Sequence, residues 1–232
     1  MRIGILWVIG LLLLPGQQVF AADQCRLPDQ IKAWDYRATE AIRRGKDWRN
    51  AQVKTDYWML ALSWSKAFCD QRRNDANPQC RDNAFGLILH GLWAQSRVAG
   101  RNYKGHPRNC VDAQAIPATL IRQYWCMIPG ARLMQKAWEK HGTCDFKQPE
   151  AYLKQAKQLY EQLTLPTRAM LLTVERKRPS DIKQMMVKLN QRLGLKRKHI
   201  WVDMKQRRLR EIRICYDLAF RFADCRASSS RR

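Results

Sequence analysis

The chain has 232 residues, 46% of them apolar, and 43 Lys or Arg against 20 Asp or Glu, a formal charge of +23. No linker, internal repeat or low-complexity stretch divides it, so the length reads as one domain with a real core and excludes a repeat array. A field of that sign attracts polyanions, which makes nucleic acid or an anionic membrane surface the expected partner.

Residues 1–21 read as an export signal. Arg2 supplies the positive start, Ile3 to Leu14 the apolar run, and Val19-Phe20-Ala21 the small-residue cleavage pattern. The run is too short for a membrane span, and Pro15-Gly16 ends it. The mature domain is therefore expected to cover 22–232, exported to the periplasm or secreted, with no membrane span after cleavage. Ala22-Asp23-Gln24 before Cys25 is a poor lipoprotein signal. All eight cysteines (Cys25, Cys69, Cys80, Cys110, Cys126, Cys144, Cys215, Cys225) lie beyond the signal, and an even count in an exported chain reads as disulfides. A zinc site on His141 and Cys144 is the competing reading, but no second ligand pair has suitable spacing, and no metal or other cofactor is expected.

From Asp29 to Asn50 the chain is basic and expected to be helical in part, with Ile31, Trp34 and Ala38 on one stripe. Tyr57 to Trp64 is dense in aromatic and aliphatic residues and reads as a strand. Phe85 to Leu89 reads as a short buried strand, with His90 at its end and Gly91 letting the backbone turn. Ser96 to Asn109 is a polar loop containing Gly100, Gly105 and Pro107; a helix follows from Pro117 towards Trp125.

The next helix runs from Pro129-Gly130 to Gly142, where Leu133, Ala137 and His141 would stack on one face and Lys136 and Lys140 form a neighbouring cationic row. Pro149 opens a helix whose apolar face is Tyr152, Leu153, Ala156, Leu159, Tyr160 and Leu163. Ser180 is expected to cap another, with Ile182, Met185, Met186, Leu189 and Leu193 as its stripe and Gly194 as its stop. Leu209, Ile212 and Ile214 suggest a closing strand into Cys215. Helices and scattered strands in this order predict an α+β domain and not a doubly wound sheet.

His90 and His141 in separate apolar settings, with Lys140 beside one of them, form the constellation that could carry chemistry. Two imidazoles and a cation are what metal-free phosphoryl transfer on RNA requires. One imidazole takes the proton from the 2′-hydroxyl, the other protonates the departing 5′-oxygen, and the cation stabilises charge on the non-bridging oxygens. An unperturbed pKa of about 6.5 suits imidazole to both roles.

The motifs carry this further. Leu89-His90-Gly91-Leu92-Trp93 and Trp138 with Lys140-His141-Gly142-Thr143-Cys144 resemble the two active-site segments of the ribonuclease T2 family, most closely its periplasmic bacterial members. Leu60-Ala61-Leu62-Ser63-Trp64 with Phe68-Cys69, and Leu209 through Asp217 with Glu211-Ile212 and Cys215, extend the resemblance over about 57–225. It implies a single α+β domain: a central antiparallel sheet, several helices packed around it, and disulfide staples. It implies a metal-independent endoribonuclease that leaves 2′,3′-cyclic phosphate ends with low base specificity, acting on RNA as a monomer. His141 would be the general base, His90 the general acid, and Lys140 the stabiliser of the phosphorane. Lys136 would meet phosphate, Trp93 would stack on a base, and Tyr103 would match a base-site tyrosine. The family pattern further implies Cys69–Cys80, Cys110–Cys144 and Cys215–Cys225, leaving Cys25–Cys126.

The departures are specific. The family's glutamate falls on Ala137, its preceding histidine on Lys136, a proline on Ala94 and a base-site aspartate near Gln95. Ala137 can neither hydrogen-bond nor carry charge, so a reduced rate is expected. The alternative is a weak or inactive relative that binds RNA through its basic surface.

Overall fold

Four strands, β1 (Tyr57–Trp64), β2 (Leu87–Gln95), β3 (Ile200–Lys205) and β4 (Arg208–Tyr216), form one antiparallel sheet in the order β2-β1-β4-β3. The structure is a computed structural model that describes residues 25–71, 77–81, 84–99 and 102–225. The export segment 1–21 and Gly100 lie outside these residues. β1 is paired on both sides and packed on both faces, which is why it reads as a continuous apolar run. Trp58, Leu60, Leu62 and Trp64 enter the main core, whereas Tyr57 and Met59 join a second cluster with Cys215, Cys225 and Trp93.

Helices α1 (Ala38–Arg43), α2 (Ser65–Cys69), α3 (Pro78–Arg81), α4 (Ala118–Tyr124), α5 (Ala131–Ala137), α6 (Pro149–Gln162), α7 (Arg168–Val174) and α8 (Pro179–Leu189) complete the α+β domain. The stripes of α4, α6 and α8 close the main core through Leu120, Ile121, Tyr152, Leu153, Ala156, Ile182 and Met186. Each fully buried large apolar side chain stabilises the fold by about 1.5–3 kcal/mol. Four disulfides join Cys25–Cys126, Cys69–Cys80, Cys110–Cys144 and Cys215–Cys225: the last three are the pairs that the resemblance implies, and the first is the pair it leaves.

Several expectations are corrected. β2 does not end at Leu89 but runs on to Gln95, and His90 lies within it. Ala61 pairs with Gly91 and Leu62 with Leu89, so His90 is the extra residue of a β-bulge. The Tyr152 hydroxyl stitches the strand beyond the bulge: it accepts from Leu92 N at 3.0 Å and donates to Leu92 O at 3.2 Å. A β-carbon on Gly91 would stand 3.1 Å from Ala137 Cβ, Trp93 Nε1 and the Tyr152 hydroxyl, at a φ of +155°, so the bulge closes only over glycine.

Between Asp29 and Asn50 only α1 is helical, and Ile31 and Trp34 are not on a helix with Ala38. Asp35 accepts the Arg37 N–H at 3.0 Å, a local turn that competes with helix, and Arg37 takes a left-handed φ of 53°. Ser180 is not a cap. Arg178 holds that place, and the Asp181 carboxylate accepts its N–H. Leu193 leaves the α8 stripe for a 3-10 turn, Gln191–Leu193, and is exposed.

Candidate active site

The sheet face away from the main core brings three polar residues into one row. Ser63 on β1 and Glu211 on β4 are directly opposed, and the bulge adds His90 from β2. Ser63 Oγ donates to Glu211 Oε1 at 3.0 Å, and His90 Nδ1 meets the same oxygen at 2.5 Å. Arg213, two residues along β4, donates to Glu211 Oε2 through Nε at 3.0 Å and Nη2 at 2.7 Å. Burial alone would raise the Glu211 carboxyl, but the hydrogen bond and charge of His90 and those of Arg213 hold it well below the usual carboxylate range. An ionised carboxylate on Nδ1 fixes that proton and leaves Nε2 of His90 for substrate.

The second histidine comes from the end of α5, which does not continue as an α-helix. Trp138–Gly142 is a π-turn, closed by Thr143 N donating to Trp138 O at 3.1 Å. A β-carbon on Gly142 would lie 2.4 Å from the Trp138 ring, so this widened turn requires glycine there. The π-turn takes His141 off the row expected for an α-helix. Ala137 is 3% exposed in the apolar core under Gly91, while His141 is half-buried. The turn is fixed from outside by Cys110–Cys144, by Asn109 N donating to Lys140 O at 3.2 Å, and by Val111 N donating to Thr143 Oγ1 at 3.3 Å.

Trp93 lies between the histidines. His141 stacks on it, with ring centroids 5.1 Å apart and planes at 24°; His90 meets it edge-on at 5.2 Å. Arg213 sits over the same indole at 4.8 Å, so three groups already occupy the ring that the sequence reading assigned to a base. Burial first, then the charges of Arg108, His90 and Lys140, push the His141 imidazole well below its ordinary range. Its Nδ1 is buried without a hydrogen-bond partner among the described residues, as is Trp93 Nε1. A neutral imidazole ringed by cations suits proton removal, and an imidazole backed by an ionised carboxylate suits proton donation.

Lys140 is held by a residue that no sequence motif marks. Asp47, its side chain 1% exposed, lies 2.9 Å from Lys140 Nζ, and its Oδ1 accepts from Arg108 Nε at 2.7 Å. Tyr36 donates its hydroxyl to Asp47, and Lys140 lies over the Tyr36 ring at 4.9 Å. Lys136 is exposed beside Trp34 and Tyr36, 5.6 and 5.7 Å from their ring centres. Tyr103 is 65% exposed and meets Trp48 edge-on at 5.1 Å, and Arg108 covers Trp48 at 4.1 Å. Tyr103 thus flanks the lysine side of the site through Trp48, Arg108 and Asp47.

Glu139 is fully buried and points elsewhere: Gln135 Nε2 donates to it at 2.7 Å. Burial raises its carboxyl to about 7. His106 and His199 are structural acceptors, taking the N–H of Ser96 and Lys196 at 3.1 Å each. Among the described residues no group of three or more His, Cys, Asp or Glu could hold a metal ion, and no helix is long and apolar enough to cross a membrane.

Comparison with known proteins adds an independent line. The model of the ribonuclease T2 family matches residues 55–225. A protein of Haemophilus influenzae named "Probable ribonuclease" is 42% identical over 132 residues, 53% of this chain and 48% of that protein. A ribonuclease of Aeromonas hydrophila is 33% identical over 120 residues, 49% of this chain and 52% of that one. The chain thus spans about half the length of these relatives. Among solved structures, an RNase-related protein from Calystegia sepium matches with a TM-score of 0.55 at 18% identity, covering 75% of this chain and 92% of that one. RNase NT, solved with 5′-AMP, matches with a TM-score of 0.54 at 20% identity, covering 75% and 91%. At these identities the structural likeness is one of fold.

Proposed function

Because the chain belongs to the ribonuclease T2 family, we propose that it is an exported endoribonuclease that cleaves RNA by transphosphorylation. His141, half-buried and kept neutral by its surroundings, takes the 2′-hydroxyl proton; the 2′-oxygen attacks the adjacent phosphorus. His90 gives its Nε2 proton to the departing 5′-oxygen, so one P–O bond forms as one breaks and a 2′,3′-cyclic phosphate remains. Lys140 neutralises charge on the non-bridging oxygens, with Lys136 meeting flanking phosphate. The nucleophile belongs to the substrate, so DNA binds without being cut. Two imidazoles suffice for both proton transfers, so the reaction is metal-independent. Low base specificity follows from Gln95 near the place of a base-site aspartate, with exposed Tyr103 as the aromatic contact, since the Trp93 ring is already taken by His141 and Arg213. The protein acts as a monomer in the periplasm or outside the cell.

The single observation that supports this reading best is the contrast between the histidines: Glu211 backs His90 at 2.5 Å, whereas burial and the charges of Arg108 and Lys140 disfavour a protonated His141. Ala137 favours a reduced rate, and in its extreme form a second reading, an RNA-binding relative with little or no turnover. The test is to incubate the oxidised protein, in a chelator, with RNA and with DNA of the same sequence. RNA fragments with cyclic phosphate ends and intact DNA are expected. No RNA cleavage, with RNA still bound, would favour the second reading.

A further inference from the structure

We propose that Asp47, from a segment outside the family match, is the positioning carboxylate of the phosphate site and sets the place and charge of Lys140. This rests on the reading of Lys140 as the phosphorane's cation. The family's own carboxylate is missing at Ala137, and among the described residues Asp47 is the acidic side chain that reaches Lys140. The two are not equivalent in chain or approach: Ala137 sits beneath Gly91, whereas Asp47 enters from the lysine side.

The segment that carries Asp47 is built into the site. Asn50 and Arg108 exchange backbone hydrogen bonds of 2.9 and 3.2 Å, Asn109 Nδ2 donates to Trp48 O at 2.7 Å, and Arg49 Nε donates to Asn109 O at 3.0 Å. Asn109 in turn donates to the Lys140 carbonyl, and the next residue is bridged to Cys144. Asp47 therefore holds Lys140 through its side chain while its neighbours hold the Lys140 backbone. At the other end Cys25–Cys126 ties the segment down.

The electrostatics require such a group. Lys140, Arg108 and Lys136 are all cationic, Lys140 and Arg108 are mostly buried, and His141 is adjacent. One carboxylate shared by Arg108 and Lys140 offsets their mutual repulsion with two close attractions and leaves one net positive charge for phosphate. Without it the two cations would move apart, and Lys140 would leave the place where charge develops. Tyr36 completes the cradle, its hydroxyl on Asp47 and its ring under Lys140.

A double-mutant cycle tests this. Single-turnover cleavage of a dinucleoside monophosphate is measured for the full oxidised chain, Asp47→Asn, Lys140→Ala and the double variant, with exposed Asp35→Asn as a control. Asp47→Asn should lower kcat about tenfold or more with KM within about threefold, and should cost nothing further once Lys140 is alanine. Asp35→Asn should match wild type. An unchanged kcat in Asp47→Asn, or the same loss in both Lys140 backgrounds, would overturn the proposal, the latter pointing to a role in folding alone. Asp47→Glu, which keeps the charge and changes its reach, goes through the same cycle if Asp47→Asn does not fold. If wild type cleaves nothing, the ribonuclease reading fails separately. The cycle is then read in the Kd of 5′-AMP, where coupling between Asp47 and Lys140 supports the positioning role and additivity overturns it.

Discussion

Glu211 and Ala137 are the two residues on which the proposed chemistry turns. Glu211 fixes Nδ1 of His90, so Glu211→Gln should leave the ring free to take other orientations and lower kcat by about tenfold to a hundredfold, as loss of a histidine's orienting partner does elsewhere. A kcat within twofold of wild type would show that the bulge alone orients His90. Among the described residues Trp93 Nε1 and His141 Nδ1 have no partners, and both Ala137 Cβ and Trp93 Nε1 lie 3.1 Å from the β-carbon position at Gly91. A glutamate at 137 would start beside the Gly91 bulge on the side of Trp93 Nε1. Ala137→Glu should therefore raise single-turnover cleavage about tenfold, or about 1.4 kcal/mol of barrier. Slower cleavage would mean that the cradle of Asp47 and Lys140 tolerates no second carboxylate. At this scale His90, His141 and Lys140 stand out as candidates in the sequence because each sits in a motif. Glu211, Ser63 and Asp47 do not, because their roles arise from pairing across strands or from a segment far away in sequence. Even Glu211, noted in its matching stretch, gave no sign that it would face His90 across β1.

Among the elements, the turn Trp138–Gly142 and its staple decide whether His141 is in place. Cys110–Cys144 closes a loop of sequence separation 34, and its loss should cost about 2–4 kcal/mol. A Cys110→Ala/Cys144→Ala chain should melt earlier and lose more kcat than the Cys69–Cys80 pair replaced in the same way; equal losses would detach the bridge from the site. Glu139 makes the same turn sensitive to pH. An unfolded glutamate ionises near 4.5, whereas burial raises the folded one to about 7. Between those values the folded chain keeps a proton that the unfolded chain has lost, so stability falls as pH rises through the window. Glu139→Gln should raise the melting temperature above pH 7 and have no such advantage below about pH 4.5. The long apolar stretches (β1, the α6 face and the α8 stripe) were readable because period and burial agree. β3 and α7 were missed: β3 is an edge strand with Trp201 40% exposed, and α7 buries only Leu171. The bulge at His90 and the π-turn at His141 depart from regular periods, and so the sequence pattern misplaced both.

For the whole molecule, charge and fold do separate jobs. The excess of 43 basic over 20 acidic residues predicts RNA binding that weakens steeply with salt, as condensed counterions are released. An affinity for a non-cleavable RNA that stays flat between low and moderate salt would contradict that electrostatic part. The fold adds direction: one face of the sheet carries His90 backed by a carboxylate, and a stapled helix end brings His141 under the influence of nearby cations, the pair to which the proposed mechanism gives the acid and base roles. The most direct measurement changes the leaving group. Cleavage of a natural dinucleoside monophosphate is compared with that of a nucleoside 3′-(4-nitrophenyl phosphate), whose leaving group needs no proton, in wild type, His90→Ala and His141→Ala. His90→Ala should lose about a hundredfold or more on the dinucleotide and recover to near wild type on the nitrophenyl ester, while His141→Ala loses a similar factor on both. Equal losses for His90→Ala on both substrates, or rescue of His141→Ala instead, would contradict the division of acid and base between them.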